Sequence, residues 1–462
     1  MIDQKYLLTD DQMRRFISHG YVELKTDFPA EFHATLSSKI EAVMEKEGNP
    51  GNNILPRVTE TRQVFEHPVI QGALTSVLGP NHIMHPHRHC HYSTPGRKVQ
   101  NWHKDSYWGY HKVRNHHPWW AMIFYYPQEV NQEMGPSAIM PGTQYYAKRA
   151  GDETEQEEFL LGEAGTFALI HYDLWHKGTG NISNRNRSMM KFQFIRMDAP
   201  TAPTWNKQQS DWKPMNGDGP PTSHEALWEH QWNWLSGEEA NDSDQADINL
   251  SSLREALDDT YEPTSVDAAY RLSAAGTQAI PTLLDALQGD KKNASRNAGY
   301  GFSALGTAAL SELTDSLTHA SEEARGHAAF ALGELAHGAA DAVPALSQML
   351  NDESAWVRRN MVEALGTIKQ PEDQTVPALI QGLRDEDDQV RFTSALSLTR
   401  IGPDAAEAAS ALGQALGDDN RYVRAKSVEA LRRIGTPEAQ DIAFDYLMAA
   451  RWCPITTPDN TF

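Results

Sequence analysis

An internal repeat constrains the second half of this 462-residue chain more than any other feature. Val343-Pro344-Ala345-Leu346 returns as Val376-Pro377-Ala378-Leu379, with Ile280-Pro281-Thr282-Leu283 and Ala309-Leu310 as weaker copies. A second marker, Val357-Arg358, recurs at the same period as Val390-Arg391 and Val423-Arg424, preceded by Ala324-Arg325. Apolar pairs follow it at fixed offset, as in Ala364-Leu365 and Ala430-Leu431. Each unit reads as two short amphipathic helices that cannot bury their faces alone, so neighbouring units must stack into a solenoid. Acidic loops such as Asn351-Asp352-Glu353 and Asp385-Glu386-Asp387-Asp388 separate the markers. They are expected to form a solvated face.

Residues 1–200 follow a different grammar. Thr9-Asp10-Asp11-Gln12 has capping-box spacing, in which Thr9 satisfies an early helix amide and Gln12 reaches back. Met13, Phe16 and Ile17 follow at helical spacing, with Gly20 as the stop. Leu36, Ile40, Val43 and Met44 share one face of a second helix that ends near Gly48. The period then shortens to two. Met190, Phe192 and Phe194 alternate with Lys191 and Gln193, the pattern of a half-buried strand, while residues 121–126 and 166–170 read as more buried strands. Pro95-Gly96, Gly135-Pro136 and Pro141-Gly142 punctuate the runs. Many short strands divided by turns predict a barrel or sandwich.

Between the halves, Trp228, Trp232 and Trp234 are expected to pack against one of the domains, and residues 236–262 hold nine acidic residues and one basic, as a solvated linker does. The expected organisation is a barrel over 1–200, a Trp-containing acidic linker over 201–263, helical repeats over 264–450 and a tail over 451–462. With 41 Lys and Arg against 62 Asp and Glu, the net charge of −21 argues against polyanion binding, so no nucleic-acid partner is expected. Two cysteines, Cys90 and Cys453, cannot build a disulfide framework. No apolar run is long enough to span a bilayer and the start lacks a basic then apolar leader, so no membrane partner and a cytoplasmic location are expected.

Among 19 histidines, the pattern His-x-Asp occurs twice, as His103-Lys104-Asp105 and His171-Tyr172-Asp173. On a strand, residues two apart face the same side, so His103 and Asp105 can offer two ligands to one metal. His176, far downstream after the apolar run 166–170, supplies a third from a distant strand. Two imidazoles and a carboxylate on one face are the facial triad of non-heme Fe(II) sites with open positions. The rival pair lacks such a partner, because the next histidine after Asp173 is His176 itself, too close to come from a separate strand. Arg187, shortly after His176 at the start of the alternating strand, can hold a dicarboxylate cosubstrate through a bidentate pair.

These residues resemble the phytanoyl-CoA dioxygenase family of Fe(II)- and 2-oxoglutarate-dependent oxygenases. The N-terminal pattern is Leu8-Thr9-Asp10-Asp11-Gln12 with His19-Gly20-Tyr21-Val22. Pro95-Gly96 through Trp102-His103-Lys104-Asp105 is similar to its first metal motif, and Gly135-Pro136-Ser137 through Pro141-Gly142-Thr143 to its central turn. His176, Gly178, Asn181, Ser183 and Arg187 sit at the spacing of its last motif. One departure is Gly178, where the family often has a small hydroxyl; Thr179 follows it. The second half resembles HEAT repeats, with roughly five units. The resemblance implies an α+β multidomain chain: a double-stranded β-helix (jelly-roll) barrel with N-terminal helices, then an all-α HEAT-like solenoid.

It further implies Fe(II) at His103, Asp105 and His176, 2-oxoglutarate held by Arg187 and Thr179, and O2 at the remaining position. Asp105 favours hydroxylation, because related halogenating enzymes have a small residue in its place. A small-molecule substrate is expected, with Trp102, Tyr107, Trp108 and His111 as pocket residues, while His116 and His117 follow in the same segment. Arg185 is expected in a surface turn. His85, His87, His89 and His91 alternate, which suits a polar strand face more than a second metal site, and Pro86 suggests a sheet edge. The repeats suit a protein partner or self-association. The rival readings are a HEAT-repeat scaffold carrying an inert barrel and a metal-dependent isomerase or hydrolase, neither of which uses Arg187.

Overall fold

A computed structural model of the chain describes residues 2–105, 113–149, 151, 156–214, 219–238 and 249–449. These form two compact units, one of sheets and helices up to residue 238 and one of helices from residue 249 on.

The first unit opens with helix α1 (Asp10–His19), closed at its start by the expected capping box: Gln12 N–H donates to Thr9 Oγ1 at 3.3 Å and Thr9 N–H to Gln12 Oε1 at 2.9 Å. Gly20 ends it at φ 81°, a left-handed conformation that glycine adopts without a Cβ clash. Strand β1 (Tyr21–Leu24) follows, then helix α2 (Ala30–Glu47), which buries Leu36, Ile40 and Met44, with Val43 half-buried. Helix α3 (Pro68–Leu78) starts with proline at its first position, where no amide partner is needed.

The remaining strands are β2 (Ile83–Ser93), β3 (Trp120–Tyr126), β4 (Ser137–Ile139), β5 (Glu158–Phe159), β6 (Thr166–His171), β7 (His176–Gly178) and β8 (Arg187–Ile195). They make two antiparallel sheets, ordered β1-β6-β3-β8-β2 and β5-β4-β7, in a double-stranded β-helix. β2 is an edge strand, and its pairing with β8 slips between Met84 and Arg88, around Pro86, where a ladder amide is missing. β8 departs from the half-buried expectation: all nine residues are buried. Its apolar side packs under Phe65, which stacks on Phe192 with ring centroids 3.8 Å apart, and its polar side faces the barrel interior. Helix α4 (Glu225–Leu235) also belongs to this unit; Trp232 is fully buried and Trp234 stacks on His117 at 4.0 Å.

In the second unit, helices α5 (Glu322–Glu334), α6 (Ala355–Ile368), α7 (Asp388–Ile401) and α8 (Arg421–Ile434) repeat one core position after another. Val357, Val390 and Val423 are fully buried, as are Leu332, Leu365, Leu398 and Leu431, one to each repeat. The acidic loops are not simply a solvated face. Asp352, Asp385 and Asp418 each accept two hydrogen bonds from Arg325, Arg358 and Arg391, the marker arginine one repeat earlier. A guanidinium near the core needs such a counter-charge. Among the described residues no helix is long and apolar enough to cross a membrane.

Candidate active site

His103, Asp105 and His176 converge, with one ligand atom of each lying within 4.8 Å of the others. His103 is not in a strand, as the same-face argument supposed. It forms an isolated antiparallel bridge with His176, its N–H donating to His176 O and the reverse, both at 3.0 Å. That bridge sets the two rings side by side, centroids 4.6 Å apart. Each ring is oriented by its other nitrogen: His103 Nδ1 bonds Asn101 O and His176 Nδ1 bonds Leu174 O, both at 2.9 Å. A carbonyl accepts only from N–H, so Nδ1 carries the proton and Nε2 keeps its lone pair. His176 Nε2 is buried with no hydrogen-bond partner. A buried lone pair aimed at a carboxylate and a second imidazole is what a divalent metal satisfies, so the donor set fits one. Burial pushes His176 down to about 4, against the pull of Asp105, so it is a neutral imidazole near neutral pH.

Asp105 is almost completely buried, yet ionised. Burial opposes its charge, but Lys191, joined by His176 once that ring is protonated in acid, holds the carboxyl well below the usual carboxylate range. Lys191 Nζ donates to Oδ1 at 2.9 Å and Oδ2 at 2.8 Å, and Gln193 Nε2 to Oδ2 at 3.1 Å. Neither β8 residue figured among the expected site residues. The signal was available: Arg187, Lys191 and Gln193 share a strand face by the period of two, so the polar face that suggested solvent faces the interior instead.

Arg187 opens β8 beside the triad, lining the same pocket as His176 and Lys191. Its NH2 donates to Gly135 O at 2.6 Å and its NH1 to His91 O at 3.4 Å, while Nε is buried without a partner. Gly135 has φ 71°, and a Cβ there would sit 2.8 Å from Thr179 O, so the central turn requires glycine. Thr179 lines the pocket, its hydroxyl donating to Pro136 O at 2.7 Å. At Gly178, a Cβ would meet Gln100 Oε1 at 2.7 Å; that oxygen accepts from Gly178 N–H at 2.9 Å, which accounts for the missing side chain.

The other candidates separate. Trp102 lies under Lys177 Nζ, 4.3 Å from its ring centroid, and Arg149. Tyr107, Trp108 and His111 lie outside the described residues. His116 bonds Tyr145 O at 2.9 Å, and His117 bonds His230 at 2.9 Å, both buried in the fold. Arg185 is half-exposed beside Glu129 at 3.6 Å. His87, His89 and His91 run in a row along β2, ring centroids 6.1 and 4.8 Å apart, and His91 lines the pocket. His85 packs edge-on against Trp120. In the rival motif, Asp173 is taken by Arg114 at 2.8 Å. Among the described residues His103, Asp105 and His176 are the one group with metal-site geometry.

A barrel with two imidazoles, a carboxylate and an interior arginine is the architecture of a mononuclear metal enzyme. Residues 16–189 match the phytanoyl-CoA dioxygenase family and residues 310–376 and 376–450 match HEAT repeats, so the chain carries a phytanoyl-CoA dioxygenase domain followed by HEAT repeats. Among solved structures, similarity is found to the non-heme alpha-ketoglutarate-dependent carbocyclase SnoK from nogalamycin biosynthesis, at 17% identity over 48% of this chain and 98% of that one, TM-score 0.36. It is also found to EctD from S. alaskensis, solved with 2-oxoglutarate and 5-hydroxyectoine, at 15% identity over 43% and 80%, TM-score 0.37. No curated protein matches the chain.

Proposed function

We propose that the chain is an Fe(II)- and 2-oxoglutarate-dependent dioxygenase that hydroxylates a small molecule, with its repeats engaging a protein partner or a second copy. The family match supports an oxygenase, and the observation that carries the reading is the buried, unpartnered Nε2 of His176 facing Asp105 and His103. In this reading His103 and His176 offer Nε2 and Asp105 one carboxylate oxygen to the iron. Bound iron, with 2-oxoglutarate and O2, supplies the oxidant for inserting oxygen into a C–H bond. Arg187 is the residue for the remote carboxylate of 2-oxoglutarate, supported by its burial and its unused Nε, and Thr179 lies beside it.

The chain's own contribution is positioning and exclusion of water. Phe124 packs edge-on against His176 at 5.7 Å, and Met189 adds a second apolar wall. Such walls strengthen every charge interaction inside them. Asp105 supports hydroxylation, because a carboxylate there leaves no room for a halide. An inert barrel would have no use for two imidazoles with their tautomers fixed for ligation. Fold alone does not name the substrate. The deciding experiment is product analysis of a cell extract treated with the protein, Fe(II), ascorbate and 2-oxoglutarate. Succinate formed together with a product heavier by one oxygen atom supports the reading, and no 2-oxoglutarate consumption overturns it.

A further inference from the structure

The metal reading leaves the buried Lys191 unexplained. Lys191 comes from the middle of β8, opposite His89 on β2 and Phe124 on β3, with its side chain only 4% exposed. A lysine is almost never buried to this extent without a partner. Its partner is the central carboxylate of the candidate metal site, and its ammonium contacts both oxygens of Asp105. With Gln193 also on Oδ2, three hydrogen bonds hold the carboxylate from the β8 side. Meanwhile Asp105 Oδ1 stands 3.7 Å from His176 Nε2.

We propose that Lys191 is a built-in competitor for the metal: its ammonium neutralises Asp105 while the site is empty and must give up at least one carboxylate oxygen when a divalent cation enters. The inference rests on the metal reading of His103, Asp105 and His176. Its physical basis is linkage. A buried carboxylate without a counter-charge is strongly unfavourable, so Lys191 stabilises the metal-free chain. In the metal-bound chain, the cation itself neutralises Asp105 and repels the ammonium. Lys191 therefore stabilises the empty state more than the filled one and lowers metal affinity. The arrangement keeps the fold intact before loading and makes the metal exchangeable. Gln193, being neutral, holds the carboxylate in both states and acts as a positioning residue.

The test is Co(II) binding by calorimetry, paired with thermal melting of metal-free and Co(II)-loaded protein, on the full-length chain. Lys191→Met and Lys191→Gln should bind Co(II) at least about tenfold more tightly than wild type. Their metal-free forms should melt at least about 6 °C lower, and saturating Co(II) should recover most of that loss. Lys191→Arg, which keeps the charge, should stay near wild type in affinity. A merely structural lysine would lower stability and metal affinity together, so the opposite signs discriminate. Equal or weaker Co(II) binding by both neutral variants overturns the competitor role. Wild-type protein that binds no Co(II) overturns the metal reading beneath it. If Lys191→Met does not fold, Lys191→Gln, with its shorter polar side chain, carries the comparison. Should neither fold without metal, failure of saturating Co(II) to restore folding in both, with wild type binding Co(II), would overturn the exchange.

Discussion

Asp385 accepts two hydrogen bonds from Arg358, Nε at 2.7 Å and NH2 at 2.8 Å, across 27 residues of chain. The same guanidinium donates through NH1 to Asp352 O at 2.9 Å, in the loop of its own repeat. One side chain thus ties its own loop to the next, and Arg325 and Arg391 do likewise on either side. Because both partners are largely buried, removing one leaves the other uncompensated. Arg358→Ala should cost about 2–5 kcal/mol, read from urea unfolding of the full chain followed by circular dichroism. The double replacement Arg358→Met with Asp385→Leu should recover part of it. An Arg358→Ala loss below about 0.5 kcal/mol would place the ladder among ordinary surface pairs.

His176→Ala removes the nitrogen whose lone pair faces Asp105 and leaves the backbone bridge to His103 available. The expected outcome is loss of measurable Co(II) binding and of iron-dependent succinate formation, with little change in the far-ultraviolet spectrum. Undiminished turnover in this variant would sink the ligand assignment.

Arg187 and Arg185 lie two residues apart and give a paired test of the cosubstrate reading. Arg187 is buried in the pocket, whereas Arg185 sits in solvent beside Glu129. Losing a charge-assisted pair in a desolvated site costs about 2–5 kcal/mol, or roughly 30- to 5,000-fold in affinity. Arg187→Ala should raise the apparent 2-oxoglutarate constant by that order, and Arg185→Ala by less than about threefold. If the two substitutions exchange their effects, the cosubstrate arginine has been misassigned.

How much of this was legible in the sequence depends on how local each signal is. The repeat period carries Val357, Val390 and Val423 straight into the core, because each repeat meets only its neighbours. The Arg358–Asp385 rung was missed for the opposite reason: a run of acidic residues looks solvated until the partner one repeat away is placed against it. Strands such as β3 and β6 were readable from apolar runs, but the pairing of β2 with β8, far apart in the chain, was not. Lys191 fell in that gap. Alternation places it on the face of β8 opposite Phe192, but only the closed barrel makes that face interior. Likewise His103 reaches His176 through a single bridge, which no local periodicity announces.

The acid limb of stability offers a test in the helical unit. His327 in α5 is buried, bonds Ser295 Oγ through Nδ1 at 2.8 Å and lies edge-on to Trp356 at 5.3 Å. Burial, reinforced by Arg296, pushes it down to about 3. Unfolded, the same imidazole titrates near about 6.5. Below that pH the unfolded chain binds a proton that the native chain refuses, so the stabilisation present above about pH 6.5 is lost as pH falls towards the folded value. The slope approaches about 1.4 kcal/mol per pH unit, giving about 2–3 kcal/mol between pH 6.5 and 4.5. His327→Gln can keep a bond to Ser295 and does not titrate. Its urea midpoints, followed by tryptophan fluorescence over this range, should fall less steeply than wild type by close to one proton. Parallel pH profiles for the two proteins would mean that His327 is protonated in the fold without penalty.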